Sequence, residues 1–213
     1  MKPETEPFFS VIITTYNRAA LLKRALNSLL AQTETDWEAI IIDDGSTDQT
    51  EFEACAYRSE RVKYFWQESH GASEAKNRGM YLSKGKFITF LDSDDEYHPD
   101  HLESRKQILI NDQIDFLHGG VEVIGNQLVP DRFNYGRQIL LSECAIGGTF
   151  FIRKSLALLL KGFCDLPLGS DGDLLERAGQ QNISIAKTGL PTYVYHRETG
   201  NSITHNLKGC ESF

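Results

Sequence analysis

Three segments of this 213-residue chain place polar side chains directly after an apolar run typical of a strand. Thr14–Asn17 follows the run FFSVII, Asp43–Ser46 closes WEAIIIDDGS, and Asp92–Asp95 follows KFITFL. The second and third segments contain carboxylates, and if they lie at one edge of a sheet these carboxylates repel each other unless a positive charge lies among them. A hard divalent cation with oxygen ligands, Mg²⁺ or Mn²⁺, is the simplest such charge. The segments therefore predict a divalent-cation site.

Each acidic segment also has a simpler interpretation when it is taken alone. Asp43–Ser46 has the composition of an ordinary turn. The acids of residues 92–103 are equally typical of a solvated helix N-terminus, where carboxylates interact favourably with the helix dipole. Both alternatives stay open for each segment by itself. Their coincidence after buried strands favours a ligand site, because open α/β sheets bind ligands beyond the carboxyl ends of their strands.

The elements that must position these residues alternate between strands and helices. Continuous β-branched runs predict buried strands, and apolar residues at helical spacing predict helices. The predicted strands of the first half are Phe8–Thr15, Trp37–Asp43, Val62–Trp66 and Lys86–Leu91; the predicted helices are one capped by Asn17 and ending near Ala31, one from about Thr47, Ala72–Leu82, and one that Pro99 begins and that runs toward Asn111. This rhythm predicts right-handed βαβ crossovers and a parallel sheet.

Residues from Asp115 onward predict shorter elements, which glycines separate. The strand-like pieces are Phe116–Ile124, Thr149–Arg153, Ile183–Lys187 and Tyr193–His196, with helical stretches near Lys154–Leu160 and Asp171–Ala178. We expect a mixed, partly antiparallel region that completes the same core. The prediction is one domain over residues 1–213 with a nucleotide-binding N-terminal half.

Composition and charge argue against several classes of function. With 22 basic and 30 acidic side chains the formal net charge is −8, whereas general nucleic-acid binding requires a basic surface. No apolar run approaches the ~20 residues that span a bilayer, and the first residues lack the apolar stretch of a signal peptide. There is no P-loop and no dinucleotide-binding glycine motif. The cysteines at 55, 144, 164 and 210 have no CxxC pairing, which predicts reduced thiols and a cytoplasmic protein.

Several motifs together resemble those of the inverting family-2 glycosyltransferases, which have the GT-A fold. The close matches are SVIITTYNR (Ser10–Arg18), IIDDGSTD (Ile41–Asp48), GASEAKNRGMYLSKGKFITFLDSDD (Gly71–Asp95) and YHPDHL (Tyr97–Leu102); GGTFFIRKSL (Gly147–Leu156) and GSDGDLLERA (Gly169–Ala178) match more loosely. The resemblance implies a Rossmann-like, mostly parallel central sheet flanked by helices, with a smaller mixed or antiparallel acceptor-side region. It implies a nucleotide-binding half of about residues 8–112 and an acceptor and catalytic-base half of about residues 113–213.

The resemblance also implies roles for residues of the first half. Thr14 and Tyr16 would line the pocket of the nucleotide base, and Asp44 would accept hydrogen bonds from the base or the ribose. Asp92 and Asp94 match the family's DxD motif. Asp94 would bind the metal that bridges the donor pyrophosphate, and Asp92 would face the ribose or the metal.

Four further residues match positions of the family that carry charge. Lys76 would contact a phosphate of the donor, although a solvated helix face is an equal alternative. Asp171 matches the family's catalytic base, but the glutamate that usually precedes it is a serine here, so that Asp173 stays open as the base. His196 and Arg197 fall where the family often has a basic residue near the pyrophosphate, and a surface location is an equal alternative.

The function implied by the resemblance is metal-dependent, inverting transfer of a sugar from a nucleotide-diphosphate donor, expected to be a UDP-sugar. The acceptor would be a saccharide or lipid-linked, as in bacterial cell-surface polysaccharide biosynthesis, and the cofactor Mn²⁺ or Mg²⁺. A lipid-linked acceptor would place the protein at the inner face of the membrane, although no strongly basic amphipathic helix predicts membrane association. The alternatives are a non-catalytic sugar-nucleotide-binding scaffold subunit and a nucleotidyltransferase.

Overall fold

The computed structural model describes residues 6–198, a part of the chain in which strands and helices alternate before a region of shorter strands. The strands are β1 (Phe9–Thr15), β2 (Trp37–Asp43), β3 (Val62–Trp66), β4 (Phe87–Phe90), β5 (Glu96–Tyr97), β6 (Phe116–His118), β7 (Val121–Gly125), β8 (Leu128–Asp131), β9 (Asn134–Leu140), β10 (Phe151–Arg153), β11 (Ile185–Lys187) and β12 (Tyr193–Arg197). The helices are α1 (Ala19–Leu30), α2 (Thr50–Cys55), α3 (Ala72–Leu82), α4 (His101–Asn111), α5 (Lys154–Leu159) and α6 (Ser170–Gly179). The ends of the predicted domain, residues 1–5 and 199–213, lie outside the described residues, and Cys210 with them.

Within the described residues, the central sheet has the strand order β11-β6-β10-β4-β1-β2-β3. Strand β1 pairs in parallel with β2 and β4, and β2 pairs in parallel with β3. Strand β10 is antiparallel to both β4 and β6, while β11 is parallel to β6. The prediction of an α/β fold with a mostly parallel sheet and a partly antiparallel region is therefore confirmed.

Apolar packing on both faces of this sheet explains why its strands have few polar residues. On one face α1 buries Leu22, Leu26 and Leu29 in the main core cluster. On the other face α3 lies so close to β1 that a Cβ atom at Gly79 would overlap the side chain of Ile12. Strands covered in this way are apolar along most of their length, and some of the buried polar groups that they do carry are paired, as Ser10 is with Glu38.

The parallel register brings three strand ends to one edge of the sheet. Thr15 of β1 lies opposite Asp43 of β2, and Ile12 lies opposite Phe90 of β4. The chain therefore leaves β1, β2 and β4 on the same side, and the polar residues that follow these strands gather there.

The second half differs from its sequence prediction at a glycine pair. The predicted strand Phe116–Ile124 is broken because Gly119 and Gly120 have φ values of +88° and +79°, and a Cβ atom at Gly120 would overlap the carbonyl of Leu190. Strand β6 therefore stays in the central sheet, and β7 joins β5 and β12 in a second sheet. Strand β5 and the β8–β9 hairpin (residues 128–140) were not predicted.

Two helix starts also differ from their predictions. Asn17 does not cap α1: its φ is +50°, and its Oδ1 accepts hydrogen bonds from the backbone N–H groups of Thr47 (2.8 Å) and Asp48 (3.3 Å). Asn17 thus binds the loop after β2, and Arg18 occupies the cap position. Helix α4 begins at His101, two residues after Pro99. No helix of residues 6–198 is both long and apolar enough to cross a bilayer.

Candidate active site

A cleft of about 1170 Å³ opens at the carboxyl edge of β1, β2 and β4 and continues between the β8–β9 hairpin and α6. Seven of the residues singled out from the sequence line this cleft: Thr14, Tyr16, Asp44, Lys76, Asp92, Asp94 and Asp171. The last of these comes from the second half of the chain, 77 positions or more from the others. The fold therefore assembles both halves of the predicted site in one cavity.

The end of the cleft next to β1 and β2 carries the residues predicted to bind the nucleotide. The ring of Tyr16 is 52% exposed and is open to a ligand. Asp44 is buried, and its carboxylate accepts four hydrogen bonds from residues 67–71: from the side chains of Gln67 (2.7 Å) and Ser69 (3.1 Å) and the backbone N–H groups of His70 (2.9 Å) and Gly71 (2.8 Å). An ionised carboxylate has about four acceptor positions, and these four donors occupy them. Asp44 therefore holds the loop of residues 67–71, which forms this wall of the cleft.

The acidic loop after β4 is held by arginines of the first helix region. Nη1 of Arg18 lies 2.7 Å from Oδ2 of Asp94, and Arg24 donates to the backbone carbonyl of Asp94. Burial and the neighbouring charge of Asp92 raise the pKa of Asp94, although Arg18 opposes this shift. The loop thus gathers several carboxylates, of which that of Asp94 is paired with Arg18. The sequence analysis assigned no role to Arg18.

A second set of contacts ties the same loop to β12. The hydroxyl of Tyr193 donates to Oδ2 of Asp95 (2.6 Å), and the backbone N–H of His196 donates to its Oδ1 (2.8 Å). Burial, together with the charges of Asp92 and Asp94, raises the pKa of Asp95 well above its usual range. Tyr193 is fully buried and was not predicted, because no local pattern links it to a loop about 100 residues away.

The donor set of this loop fits a cation of the Mg²⁺ or Mn²⁺ type. Such ions are usually bound by one or two carboxylates together with substrate phosphates, and Asp92 and Asp94 supply two carboxylates at the cleft surface. In the described part of the chain, no group of three or more His, Cys, Asp or Glu side chains could hold a metal ion. A cation bound by these two carboxylates would complete its ligand set with water and with phosphate oxygens of a ligand.

Asp171 lies in the first turn of α6, facing the cleft. Its Oδ2 accepts a hydrogen bond from the backbone N–H of Gly147 (2.8 Å). Burial raises the pKa of Asp171, and the charge of Asp92 adds to the effect, while Lys76 and the Gly147 N–H oppose it. A carboxylate with a raised pKa is a stronger proton acceptor, which is a property of general bases.

Asp173 has a different environment two residues further along α6. It forms an ion pair with Arg177 (2.7 Å), which also donates to the carbonyls of Leu160 and Gly162. Burial works against its charge, but Arg177 and the thiol of Cys164 outweigh it and lower the pKa of Asp173. Asp173 does not line the cleft. Its contacts tie α6 to the chain after α5.

Lys76 lies between the acidic loop and α6. Its Nζ is 3.5 Å from Oδ1 of Asp92 and lies over the ring of Phe163, 5.4 Å from the centroid. Burial alone would lower the pKa of Lys76, but the charges of Asp92 and Asp171 outweigh burial and raise it. With 12% of its side chain exposed, Lys76 is part of the cleft wall rather than of a solvated helix face.

His196 and Arg197 do not line the cleft. Nε2 of His196 lies 2.8 Å from Oε1 of Glu96, and Nη1 of Arg197 donates to the carbonyl of Leu128 (3.0 Å). Both residues are more than nine-tenths buried. They therefore connect β12 to its neighbouring elements, and a direct contact with a ligand in the cleft is not supported.

Comparison with known proteins gives consistent matches. The family model of glycosyl transferase family 2 matches residues 10–164. UDP-Glc:alpha-D-GlcNAc-diphosphoundecaprenol beta-1,3-glucosyltransferase WfgD of Escherichia coli is 33% identical over 143 residues, which are 65% of this chain and 56% of WfgD. The chain thus spans little more than half the length of this relative.

Two solved structures share the fold. S. aureus TarS 1–349, in complex with UDP-GlcNAc, superimposes with a TM-score of 0.78 at 23% identity, covering 92% of this chain and 60% of TarS 1–349. Mannosyltransferase PcManGT from Pyrobaculum calidifontis, in complex with GDP-Man and Mn²⁺, gives a TM-score of 0.72 at 17% identity, covering 97% of this chain and 61% of that protein. At these identities the likeness concerns the fold.

Proposed function

Because the chain belongs to glycosyl transferase family 2, we propose that it transfers a sugar from a nucleoside-diphosphate sugar to a saccharide or lipid-linked acceptor. The donor we propose is a UDP-sugar, the transfer inverts the anomeric carbon, and it depends on Mn²⁺ or Mg²⁺. The biological setting we propose is bacterial cell-surface polysaccharide biosynthesis, at the inner face of the cytoplasmic membrane.

The observation that carries this proposal is that one cleft contains both carboxylates suited to hold a cation and a carboxylate suited to accept a proton. The carboxylates of Asp92 and Asp94 lie at one side, and the carboxylate of Asp171, with its raised pKa, lies on α6. Lys76 interacts with both Asp92 and Asp171. Sugar transfer needs stabilisation of a departing diphosphate and removal of a proton from an incoming hydroxyl, and this cleft offers a group for each requirement.

The proposed mechanism uses Asp171 as the general base. A sugar hydroxyl is a poor nucleophile at neutral pH, so Asp171 accepts its proton as the oxygen attacks the anomeric carbon. The N–H of Gly147 orients the Asp171 carboxylate. Attack from the face opposite the departing diphosphate inverts the anomeric carbon without a protein nucleophile. A cation held by Asp92 and Asp94 would supply electrostatic stabilisation of the diphosphate.

The relatives support the proposed substrates. The name of WfgD gives UDP-Glc as its donor and a GlcNAc-diphosphoundecaprenol as its acceptor. TarS binds UDP-GlcNAc, and PcManGT binds GDP-Man with Mn²⁺. The nucleotide sugar named for WfgD and for the TarS complex is a UDP-sugar, which favours UDP over GDP for this chain.

The test of the proposal compares Asp171→Asn with Asp173→Asn. Asp171→Asn removes the general base, so we expect transfer to fall by about 100- to 10,000-fold, while binding of UDP with Mn²⁺, measured by calorimetry, is retained. Asp173→Asn weakens contacts with Arg177 and Cys164 that lie outside the cleft, and we expect it to keep turnover within about twofold of wild type.

The same measurements separate the proposal from a non-catalytic scaffold. A wild-type chain that binds UDP and Mn²⁺ but neither hydrolyses nor transfers sugar from UDP-sugars would favour the scaffold. Full activity of Asp171→Asn, with loss of activity in Asp173→Asn, would transfer the role of base to Asp173.

A further inference from the structure

We propose that the tip of the β8–β9 hairpin, Arg132 and Phe133, is a stacking platform for a pyranose ring of the acceptor. This inference rests on the proposed function and names the element that recognises the acceptor next to Asp171. The hairpin was not predicted from the sequence, and neither residue belongs to the motifs that the sequence analysis identified.

Arg132 is fixed against the start of α6. A Cβ atom at Gly169 would lie 2.6 Å from Cδ of Arg132, and one at Gly172 would lie 2.7 Å from its Nη1. Nη1 also lies 3.4 Å from the carbonyl oxygen of Gly169, and Nη2 pairs with Glu176. Because Gly169 and Gly172 flank Asp171, these contacts hold the hairpin tip beside the proposed base.

Phe133 lies on this fixed arginine. The Cζ atom of Arg132 is 4.4 Å from the centroid of the Phe133 ring, so the guanidinium covers one part of the ring. Phe133 is nevertheless 81% exposed and lines the cleft. An aromatic side chain that is held by a cation on one side and open to a cleft on the other presents an apolar π surface at a defined position.

The position of this surface matches the path of an acceptor rather than that of the nucleotide. The predicted nucleotide residues Tyr16 and Asp44 follow β1 and β2, whereas the hairpin contacts the residues on either side of Asp171. An acceptor hydroxyl must reach Asp171 to lose its proton. One face of a pyranose ring consists of C–H groups and is apolar. Because these C–H groups carry partial positive charge, this face packs favourably on the electron-rich face of an aromatic ring.

The experiment compares Phe133→Ala with Phe133→Tyr and with Phe52→Ala. Phe52 is 72% exposed but lies on α2, outside the cleft, and so provides a matched loss of one exposed phenyl ring. The donor is the UDP-sugar that wild type hydrolyses fastest among UDP-glucose, UDP-galactose and UDP-N-acetylglucosamine with Mn²⁺. The acceptor is the octyl pyranoside that wild type uses best among those of glucose, galactose, mannose and N-acetylglucosamine.

We expect Phe133→Ala to raise the acceptor KM by about 2- to 13-fold, the factor that corresponds to one aromatic stacking contact. The donor KM should stay within twofold, and Phe133→Tyr should restore the acceptor KM. Phe52→Ala should change neither constant. Because Phe133 is exposed, the thermal midpoint should not move.

Several outcomes would overturn the inference. One is an acceptor KM of Phe133→Ala equal to that of Phe52→Ala. Another is loss of binding to vesicles of phosphatidylethanolamine and phosphatidylglycerol in Phe133→Ala with an unchanged acceptor KM, which would make the ring a membrane contact. A wild type that hydrolyses donor but uses none of the pyranosides would refute the platform alone, whereas a wild type that cleaves no UDP-sugar would refute the proposed function.

Discussion

Substitution of Gly147 by alanine is expected to displace Asp171. Gly147 does not have a positive φ, so alanine is compatible with its backbone. A Cβ atom there would lie 2.6 Å from Oδ1, 2.9 Å from Cγ and 3.0 Å from Oδ2 of Asp171. Ordinary contact begins near 3.4 Å, so the carboxylate must move by about 0.8 Å, away from the N–H group that orients it.

A displacement of this size is large for a general base. A misplacement of about 1 Å costs on the order of 100-fold in rate, so we expect kcat to fall by about 10- to 100-fold in Gly147→Ala. The donor KM should stay within about twofold, because the new methyl group contacts Asp171 and not the acidic loop after β4. Added volume at a buried position should also lower the free energy of unfolding by about 1 kcal/mol.

The assay is steady-state release of UDP with saturating acceptor, together with thermal unfolding. Gly179→Ala is the matched control, because a Cβ atom at the other end of α6 meets nothing within 4 Å. The double variant Gly147→Ala/Asp171→Asn should be no slower than Asp171→Asn alone, since both changes act through one carboxylate. Wild-type kcat in Gly147→Ala would refute Asp171 as the base.

Two further predictions concern the charges of the cleft. Lys76→Met removes a positive charge that lowers the pKa of Asp171. The ionised, proton-accepting form of Asp171 will then require a higher pH, so the acid limb of the kcat/KM profile should move to higher pH. The control Lys23→Met, on α1, should leave this limb in place. An unshifted limb in Lys76→Met would contradict the electrostatic link between these residues. Removal of divalent cations with EDTA should abolish transfer. Asp94→Asn should raise the Mn²⁺ concentration that gives half-maximal rate by at least about tenfold. The same Mn²⁺ concentration in wild type and variant would exclude Asp94 as a metal ligand.

The first half of the fold could be predicted from the sequence because its signals are local. Strands Trp37–Asp43 and Val62–Trp66 and helix Ala72–Leu82 have the predicted bounds, since continuous β-branched runs and helical periodicity report burial directly. The gathering of the segments after β1, β2 and β4 followed from the rule that parallel strands end at one edge. Asn17 was assigned wrongly because a residue suited to capping also suits a left-handed turn.

The second half could be predicted less well because its structure depends on distant partners. The run Phe116–Ile124 was predicted as one strand, but the positive φ of Gly119 and Gly120, against which Thr188 and Leu190 pack, divides it between two sheets. The β8–β9 hairpin has many exposed residues, and its apolar and polar residues alternate only weakly. The two-residue periodicity typical of a strand therefore did not indicate it. Phe133 therefore carried no sequence signal.

The sequence by itself determined the class of the sheet, the acidic segments at its edge and seven of the residues that line the cleft. Only the tertiary structure decided how the two acids at the start of α6 differ. Asp173 pairs with Arg177 four residues further along the same helix, which is a local contact, but only packing brings Asp171 against the N–H of Gly147 in the cleft. The physical reason is that the environment of Asp171 comes from Gly147, Lys76 and Asp92, which lie far from it in the chain, and no local pattern of residue types encodes such contacts.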